Sequence, residues 1–166
     1  MVKILFVCHG NICRSPMAEF VLRDMVKKAG LSSRFHIASC GASREELGNP
    51  VYPPARRELA RHGIGCDGHR ARQITEKDLR EYDHIYYMDS SNYWRLKRMF
   101  PSYGKFLPFL SRDVADPWYT GDFDATFSDI MDGCTALLER IAAGQRGQGH
   151  TRCVPGMACR HIQDRL

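Results

Sequence analysis

The feature that most constrains the fold is the run KILFVC at residues 3–8, which is continuously apolar after its lysine and is followed at once by the loop HGNICRSP. An apolar run without polar alternation is typical of a strand buried on both faces of a parallel sheet. Apolar residues then recur at helical spacing over residues 17–29, and Gly30 provides a stop. The opening of the chain therefore predicts a central strand, a loop and a helix.

Short apolar runs continue to alternate with helical patterns along the chain. Further strands are predicted at residues 35–40, 84–88 and 105–110. Further helices are predicted at residues 54–62, 90–100 and 123–141. Thr75 and Asp78 form a capping-box pattern that predicts one more, short helix. Pro108 weakens the last strand, which we expect to lie at a sheet edge or to end before that proline.

This alternation predicts the fold class and the organisation of the chain. Strands that alternate with helices favour an α/β fold, here a single three-layer α/β/α domain with a four-stranded, doubly wound parallel sheet. The ligand site of such a domain lies at the carboxyl ends of its strands, where the loop HGNICRSP is found. We assign the domain to residues 1–143 and predict an irregular C-terminal tail at residues 144–166, where the periodicity is lost.

Composition excludes several classes of protein. The 166 residues are 43% hydrophobic and 26% charged, which is typical of a globular domain and not of a disordered chain. The net charge of +5 would attract anions, but the scattered Lys and Arg residues do not indicate a nucleic-acid partner. No membrane association is predicted, and the absence of a signal-peptide pattern favours a cytoplasmic location. The seven cysteines are odd in number and irregularly spaced, so we expect reduced thiols.

The loop after the first strand combines groups that favour an anion. Five residues separate Cys8 from Arg14, enough for successive backbone N–H groups to surround one tetrahedral oxyanion. The following helix adds its positive end, and Arg14 adds a planar fork that matches two phosphate oxygens. The same field stabilises a thiolate over a thiol at Cys8. A nucleophile beneath an anion cradle indicates a phosphoryl-transfer site.

Each of these residues also has an ordinary structural interpretation. Cys8 could be a buried strand residue, Ser15 a helix cap before a proline, and Arg14 a solvated helix residue. Their combination in one loop at the end of a strand favours the functional interpretation. The loop is not a nucleotide P-loop, because it lacks Gly-Lys-Ser/Thr and begins with a thiol.

The motifs CHGNICRSP at residues 8–16 and DPWY at residues 116–119 closely resemble the low-molecular-weight protein tyrosine phosphatases. That family has a C-x4-C-R-S loop and an acid in a late D-P-aromatic segment. The resemblance extends to GNP at residues 48–50, ARQI at 71–74 and MDSSN at 88–92, and so covers about residues 2–142. It implies the flavodoxin-like fold of this family, a reaction without metal or cofactor, and a monomer or weak homodimer.

The resemblance implies a role for each reactive group. Cys8 is the nucleophile, Arg14 binds the phosphoryl group and stabilises its transition state, and Ser15 donates a hydrogen bond to the thiolate. Asp116 protonates the departing phenolate oxygen and then activates water, as a general acid and base does. Asp113 is the nearby alternative, but it does not precede a proline and fits the motif less well.

The resemblance also implies the substrate class. Trp118 and Tyr119 form an aromatic wall suited to phosphotyrosine proteins or other aryl phosphates, although loop packing is an alternative role. Ile12 favours aryl phosphates, since the arginine-phosphatase branch carries threonine here. His9 and Ser43 are expected at the pocket mouth, and phosphate or vanadate should inhibit. The substrate-binding residues on the loop are then His9, Gly10, Asn11, Ile12, Cys13 and Ser15.

Residues outside the loop are expected to support it. Asn11 suits a left-handed conformation, and the family pattern implies that Ser39 and His69 anchor it. Asp89 is expected to orient Asp116 or the loop. Cys13 lies close enough in sequence to trap an oxidised nucleophile as a disulfide, a redox switch in the family, although a neutral filler of the loop remains the alternative.

Three other functions compete with a phosphatase. An arsenate reductase of the same fold needs two further cysteines, and residues 82–95, where they would lie, contain none. A phosphopeptide-binding module without turnover is disfavoured by the intact set of reactive residues. The tail contains soft metal ligands whose spacing suits structural zinc poorly, namely His150, Cys153, Cys159 and His161.

Overall fold

The computed structural model describes residues 1–147 and contains one sheet of four parallel strands in the order β2-β1-β3-β4. The strands are β1 (Val2–Cys8), β2 (Phe35–Gly41), β3 (His84–Tyr87) and β4 (Phe106–Pro108). The predicted fold class is confirmed, and β1 is central as its sequence indicates. β4 lies at the edge of the sheet and includes Pro108. An edge strand can contain a proline because only one of its sides pairs with a neighbouring strand.

Helices follow each strand and fill the connections between them. They are α1 (Arg14–Lys28), α2 (Pro53–Arg61), α3 (Glu76–Glu81), α4 (Ser90–Met99), α5 (Pro117–Thr120) and α6 (Phe123–Gly147). The capping box predicted from Thr75 and Asp78 is present at the start of α3. α6 runs to Gly147, so the first four residues of the predicted tail are helical, and the rest of that tail lies outside the described residues.

Both faces of the central strand are buried, which explains its unbroken apolar sequence. Leu5 and Val7 share one core cluster with Ile85 of β3 and Leu96 of α4. Ile4 and Phe6, which alternate with them along β1, point to the opposite face and are also fully buried. α1 packs against β1 and β2, so the loop between β1 and α1 is held at the carboxyl end of the sheet.

The internal contacts divide the chain into two units, Met1–Thr135 and a second that begins at Ala136. The first unit contains the whole sheet and every residue of the site considered below. Of the second, the structure describes the end of α6. No helix within residues 1–147 is both long and apolar enough to cross a bilayer.

Candidate active site

The loop between β1 and α1 is held in shape by Asn11. Asn11 has a φ of 63°, and its Nδ2 donates to both Ser15 Oγ and Ser39 Oγ at 2.9 Å. Its Oδ1 accepts from the backbone N–H of Arg72 at 3.1 Å, and its carbonyl accepts from His69 Nε2 at 2.7 Å. The structure thus brings Asn11 together with both predicted anchors, and the strained backbone is fixed by hydrogen bonds on every side.

The Cys8 sulfur lies at the base of this loop. Cys8 Sγ is 3.0 Å from Ser15 Oγ, which is also 3.2 Å from the carbonyl oxygen of Cys40. The end of β2 presses on the loop, because a Cβ added to Gly41 would lie only 2.9 Å from the carbonyl oxygen of His9. A side chain at that position would push the loop away from the sheet, so glycine is required here.

Arg14 is buried and shared between two carboxylates. Its Nη1 donates to Asp89 Oδ2 at 2.6 Å and to the carbonyl of Val114 at 2.8 Å, while Nη2 donates to Asp116 Oδ2 at 3.1 Å. Burial opposes its charged form, but Cys8 and both carboxylates outweigh that cost and raise the pKa of Arg14 above its ordinary value. The guanidinium therefore remains a fixed positive charge under the loop.

Asp89 contacts Arg14 and caps a helix. Its Oδ1 accepts from the backbone N–H of Asn92 at 2.8 Å, which starts α4, and its Oδ2 accepts from Arg14. Burial opposes its ionised form, but the hydrogen bond from Arg14 prevails and lowers the pKa of Asp89. The sequence predicts a carboxylate that orients Asp116 or the loop. In the structure Asp89 bonds to Arg14, and so reaches the loop through that side chain.

Asp116 starts the short helix α5 and faces Arg14. Its Oδ1 accepts from the backbone N–H of Trp118 at 3.0 Å, which leaves Oδ2 on the pocket side with Arg14. Asp113, the alternative acid, points elsewhere. Its Oδ1 and Oδ2 accept from the backbone N–H and hydroxyl of Ser90 at 3.0 Å and 2.6 Å, and it does not line the pocket.

A pocket of about 380 Å³ opens over the sulfur and brings most of the predicted residues together. Those that line it are Cys8, His9, Gly10, Ile12, Cys13, Arg14, Asp89, Asp116, Trp118 and Tyr119. Asn11 and Ser15, predicted to bind substrate, have fully buried side chains that do not line the pocket, because they hold the loop from behind. Ser39 and His69 are likewise buried behind the loop.

The pocket mouth differs from the predicted one. Ser43 is buried and does not line the pocket, and its backbone N–H donates to the carbonyl of His9 at 3.0 Å. Glu45 and Glu46 line the mouth in its place, and Glu45 Oε2 is 2.8 Å from His9 Nε2. A hydrogen bond from His9 lowers the pKa of Glu45. Sequence reasoning missed both glutamates, and a run of two acids after a strand end is the signal that could have found them.

The two residues predicted to form an aromatic wall are exposed and line the pocket. Trp118 and Tyr119 are 54% and 85% exposed. Trp118 lies against Tyr52, with 5.0 Å between ring centroids, and Tyr52 in turn contacts Phe123 at 6.0 Å. Tyr52 was not predicted from the sequence, because an isolated tyrosine in a loop carries no spacing signal.

Burial governs the thiols of Cys13, Cys40 and Cys134. Burial, with Cys8 nearby, raises the pKa of the Cys13 thiol well above its usual range, so Cys13 stays neutral in the pocket. Burial also raises the pKa of Cys40 and Cys134, as it does for a thiol packed as a small hydrophobic residue. Both thiols of the loop, Cys8 and Cys13, are free.

Within residues 1–147 one group of side chains comes close enough to share a metal ion, and it lies away from the pocket. Glu58, His62 and Asp124 have potential ligand atoms within 4.8 Å of one another. Glu58 already pairs with Arg61 at 3.0 Å and His62 at 3.1 Å, so its oxygens are occupied. The zinc ligands considered in the tail lie outside the described residues.

Comparison with known proteins gives this arrangement a family. The family model for low molecular weight phosphotyrosine protein phosphatase matches residues 3–146. The low molecular weight protein-tyrosine-phosphatase YfkJ of Bacillus subtilis is 40% identical over 150 residues, which cover 85% of this chain and 96% of the relative. The human low molecular weight phosphotyrosine protein phosphatase is 36% identical over 150 residues, with coverages of 83% and 94%.

Solved structures agree with the sequence comparison. The crystal structure of YfkJ superposes with a TM-score of 0.83 at 39% identity, covering 87% of this chain and 97% of its own. Vibrio vulnificus Wzb in complex with benzylphosphonate superposes with a TM-score of 0.75 at 27% identity, with coverages of 84% and 98%. Because sequence and structure match over nearly all of the described residues, the chain belongs to the low molecular weight phosphotyrosine protein phosphatase family.

Proposed function

We propose that the protein hydrolyses aryl phosphomonoesters, above all phosphotyrosine in proteins, through a phosphocysteine intermediate on Cys8. The observation that carries the proposal is that Cys8, Arg14 and Asp116 line the same pocket. Nucleophile, anion-binding cation and acid therefore meet around one cavity. The names of the family relatives support the same reaction class.

In the first step the Cys8 thiolate attacks phosphorus and the bond from phosphorus to the phenolic oxygen breaks. The loop N–H groups and Arg14 stabilise the equatorial oxygens, where negative charge is concentrated in the transition state. Asp116 gives its proton to the phenolic oxygen, so that a neutral phenol leaves. Charge and atoms balance with an ionised Asp116 and a phosphorylated sulfur as products.

The ion pairs of Arg14 suit this sequence of events. The contact of Nη2 with Asp116, at 3.1 Å, is longer than that of Nη1 with Asp89, at 2.6 Å. A protonated Asp116 attracts the guanidinium less, so arrival of a phosphate dianion frees Nη2 for the substrate while Nη1 stays fixed. Asp89 then keeps the cation in place throughout the reaction.

In the second step water attacks the phosphocysteine and inorganic phosphate leaves. Asp116, now ionised, accepts a proton from the water, and the sulfur departs as a thiolate. Ser15 Oγ, 3.0 Å from Cys8 Sγ, stabilises that thiolate by a hydrogen bond. The enzyme returns to its starting state with no metal or cofactor required.

The walls of the pocket favour an aromatic leaving group. Trp118 and Tyr119 offer flat apolar surface on one side, and Ile12 lines the cradle without a hydroxyl group that could bind a guanidinium. This composition favours aryl phosphates over phosphoarginine. Vibrio vulnificus Wzb, a structural relative solved with benzylphosphonate, is consistent with a ligand that joins an aromatic ring to a phosphorus oxyanion.

The experiment is turnover of p-nitrophenyl phosphate and phosphotyrosine peptides by the reduced, full-length protein in the presence of a chelator. We expect activity without metal, competitive inhibition by vanadate or phosphate, and loss of activity in Cys8→Ser. Asp116→Ala should lower kcat by about 10²–10⁴-fold and leave vanadate binding intact. Asp113→Ala is the matched control and should keep full activity. Turnover by Cys8→Ser, or its loss on chelation, would contradict the mechanism.

A further inference from the structure

The helix α4 begins at the pocket and carries an exposed stripe of side chains away from it. Asp89 caps α4 and also bonds to Arg14 at 2.6 Å, so the start of the helix is fixed relative to the site. Ser91, in the first turn, lines the pocket. Three more exposed residues share its face, at three, four and seven positions further along: Trp94, Arg95 and Arg98. We call these four residues the α4 stripe.

The composition of the α4 stripe is typical of a binding surface. The opposite face of α4 packs on the core through buried residues such as Leu96, so the stripe is not needed to hold the helix in place. Trp94 is nevertheless 65% exposed, with Arg95 exposed beside it. Tryptophan and arginine are the residue types most enriched at the centres of protein interfaces. Their position next to a substrate pocket indicates contact with the substrate.

The positive charge of the α4 stripe is not neutralised by its own helix. Exposed cations on other helices pair with a carboxylate one turn away, as Lys28 does with Asp24 at 2.7 Å. α4 contains no Asp or Glu, and within residues 1–147 the side chains of Arg95 and Arg98 form no ion pair. The helix dipole favours a cation near the carboxyl end, which accounts for Arg98. It does not account for Arg95, which lies in the middle of α4.

The acids at the pocket mouth already have other partners. Glu45 Oε2 is 2.8 Å from His9 Nε2, and Glu46 Oε2 accepts from Asn49 Nδ2 at 2.6 Å. The hydrogen bond from His9, then the charge of His9 and last that of Arg95 lower the pKa of Glu45, which places Arg95 close to the mouth. Among the described side chains around the mouth, the guanidinium of Arg95 is therefore the charge that an incoming anion can meet.

We propose that the α4 stripe is a docking surface for an acidic segment that flanks phosphotyrosine in the substrate protein, with Arg95 as its central contact. The inference rests on the proposed function, since it names the class of phosphoprotein that the same pocket receives. The four residues from Ser91 to Arg95 span about 6 Å along the helix, and an extended peptide advances about 3.3 Å per residue. The acidic side chain then lies about two or three residues from the phosphotyrosine.

The test measures affinity for three phosphotyrosine peptides that differ only in charge. The first carries Asn and Gln at the second and third positions on both sides of the phosphotyrosine. The second carries Asp and Glu at those positions before it, and the third carries them after it, so both directions of the bound chain are covered. Fluorescence anisotropy follows binding of each fluorescein-labelled peptide to the Cys8→Ser protein, in which the peptide stays intact.

One of the two acidic peptides should bind about three- to fivefold more tightly than the neutral one, the gain expected from one exposed ion pair. Arg95→Gln, made in the same background, should remove this preference, and about 0.5 M salt should remove it without any further substitution. Arg57→Gln is the matched control. Arg57 is an exposed arginine on α2 that does not line the pocket over Cys8, so its replacement removes the same charge and should keep the preference.

A second readout separates the α4 stripe from the reaction itself. With Cys8 intact, Arg95→Gln should lower kcat/KM for the preferred acidic peptide about three- to fivefold. It should leave kcat/KM for p-nitrophenyl phosphate unchanged, because that substrate has no flanking residues to meet the stripe. Glutamine is a good helix former, so both variants should fold.

Equal binding of all three peptides, or a preference that survives Arg95→Gln, would overturn the inference. An equal loss of preference in Arg95→Gln and Arg57→Gln would also overturn it, since net charge alone would then decide affinity. Failure of the proposed function is a different result, because it would appear as turnover that survives Cys8→Ser.

Discussion

Arg14 and Arg72 both bind aspartates, yet the two ion pairs differ in what they leave open. Arg72 uses Nη1 and Nη2 for the two oxygens of Asp78, at 2.9 Å and 3.0 Å. Arg14 divides the same two nitrogens between Asp89 and Asp116, which both line the pocket. Arg72 and Asp78 pair only with each other through these atoms, whereas Arg14 and its two aspartates border a pocket that an anion can enter.

The origin of the partners explains this difference. Arg72 and Asp78 are six residues apart, and Thr75 also donates its N–H and hydroxyl to Asp78, so a local turn forms the whole cluster. The carboxylates that meet Arg14 lie 75 and 102 residues from it and follow β3 and β4. An arginine paired with a carboxylate close in sequence stabilises local structure. An arginine paired with carboxylates from distant loops lies where the folded sheet brings those loops together, as a ligand site requires.

Of the changes to these two ion pairs, replacing the pocket arginine should have the largest effect. We expect Arg14→Lys to lower kcat/KM by about 10²–10³-fold, because a lysine cannot make the forked contact with the phosphoryl oxygens. Arg72→Lys is the control and should keep its kcat/KM near the wild-type value. Steady-state kinetics on p-nitrophenyl phosphate measures both, and equal losses would mean that the two arginines do not differ in function.

A smaller effect, on stability and not on activity, is expected at the Arg72–Asp78 pair. Asp78→Asn should lower the free energy of unfolding by about 1–2 kcal/mol, because it weakens the cap of α3 and the pair with Arg72. Activity of the folded protein should stay unchanged. Urea unfolding followed by circular dichroism measures the loss. Asp89→Asn should reduce both stability and kcat, since Asp89 caps α4 and also holds Arg14.

Acid should remove the stability that the Arg72–Asp78 pair contributes. Burial opposes the ionised form of Asp78, but the bond from Arg72 outweighs it and lowers the pKa below the ordinary 3.8. A lowered folded-state pKa adds stability that is complete above the unfolded value and is lost as the pH falls toward the folded one. The stability difference between wild type and Asp78→Asn should therefore be constant from pH 7 to about pH 5 and shrink below about pH 4. Unfolding curves across this range test it, and a difference that grows in acid would contradict it.

The smallest effect is expected at the exposed His9–Glu45 pair at the pocket mouth. Glu45→Gln should change KM for a phosphotyrosine peptide by about twofold at most, because exposed ion pairs are weak and screened by salt. The change should vanish in high salt and leave kcat unaltered. A large change in kcat would mean that the His9–Glu45 pair takes part in catalysis, as Arg14 does, and is not simply an exposed ion pair.

The fold and the reactive loop could be predicted because their signals are local. The unbroken apolar sequence of β1 follows from burial on both faces, and residues 8–15 are contiguous, so a short motif carries nucleophile, cradle and cation together. Pro108 marked the edge strand for a similar reason, since a proline restricts which strand can accept it.

Contacts made across the sheet could not be predicted in the same way. The partner of Asp89 depends on the order of strands, which brings the end of β3 beside the loop after β1. Glu19 lies on a helix where a glutamate usually faces water, and only the packing of α1 against β2 shows that it is buried beside Ser39. Tyr52 supports the aromatic wall from a loop whose path no spacing reveals.

Because Trp118 lines the pocket and is exposed, its fluorescence can report on the pocket. The chain has two tryptophans, and the other, Trp94, is 65% exposed on α4 beside Tyr93 and does not line the pocket. With Trp94→Phe, the remaining indole emission would come from the wall of the pocket alone. Its fluorescence would then follow occupancy of the cleft directly, in real time and without a chromogenic reporter.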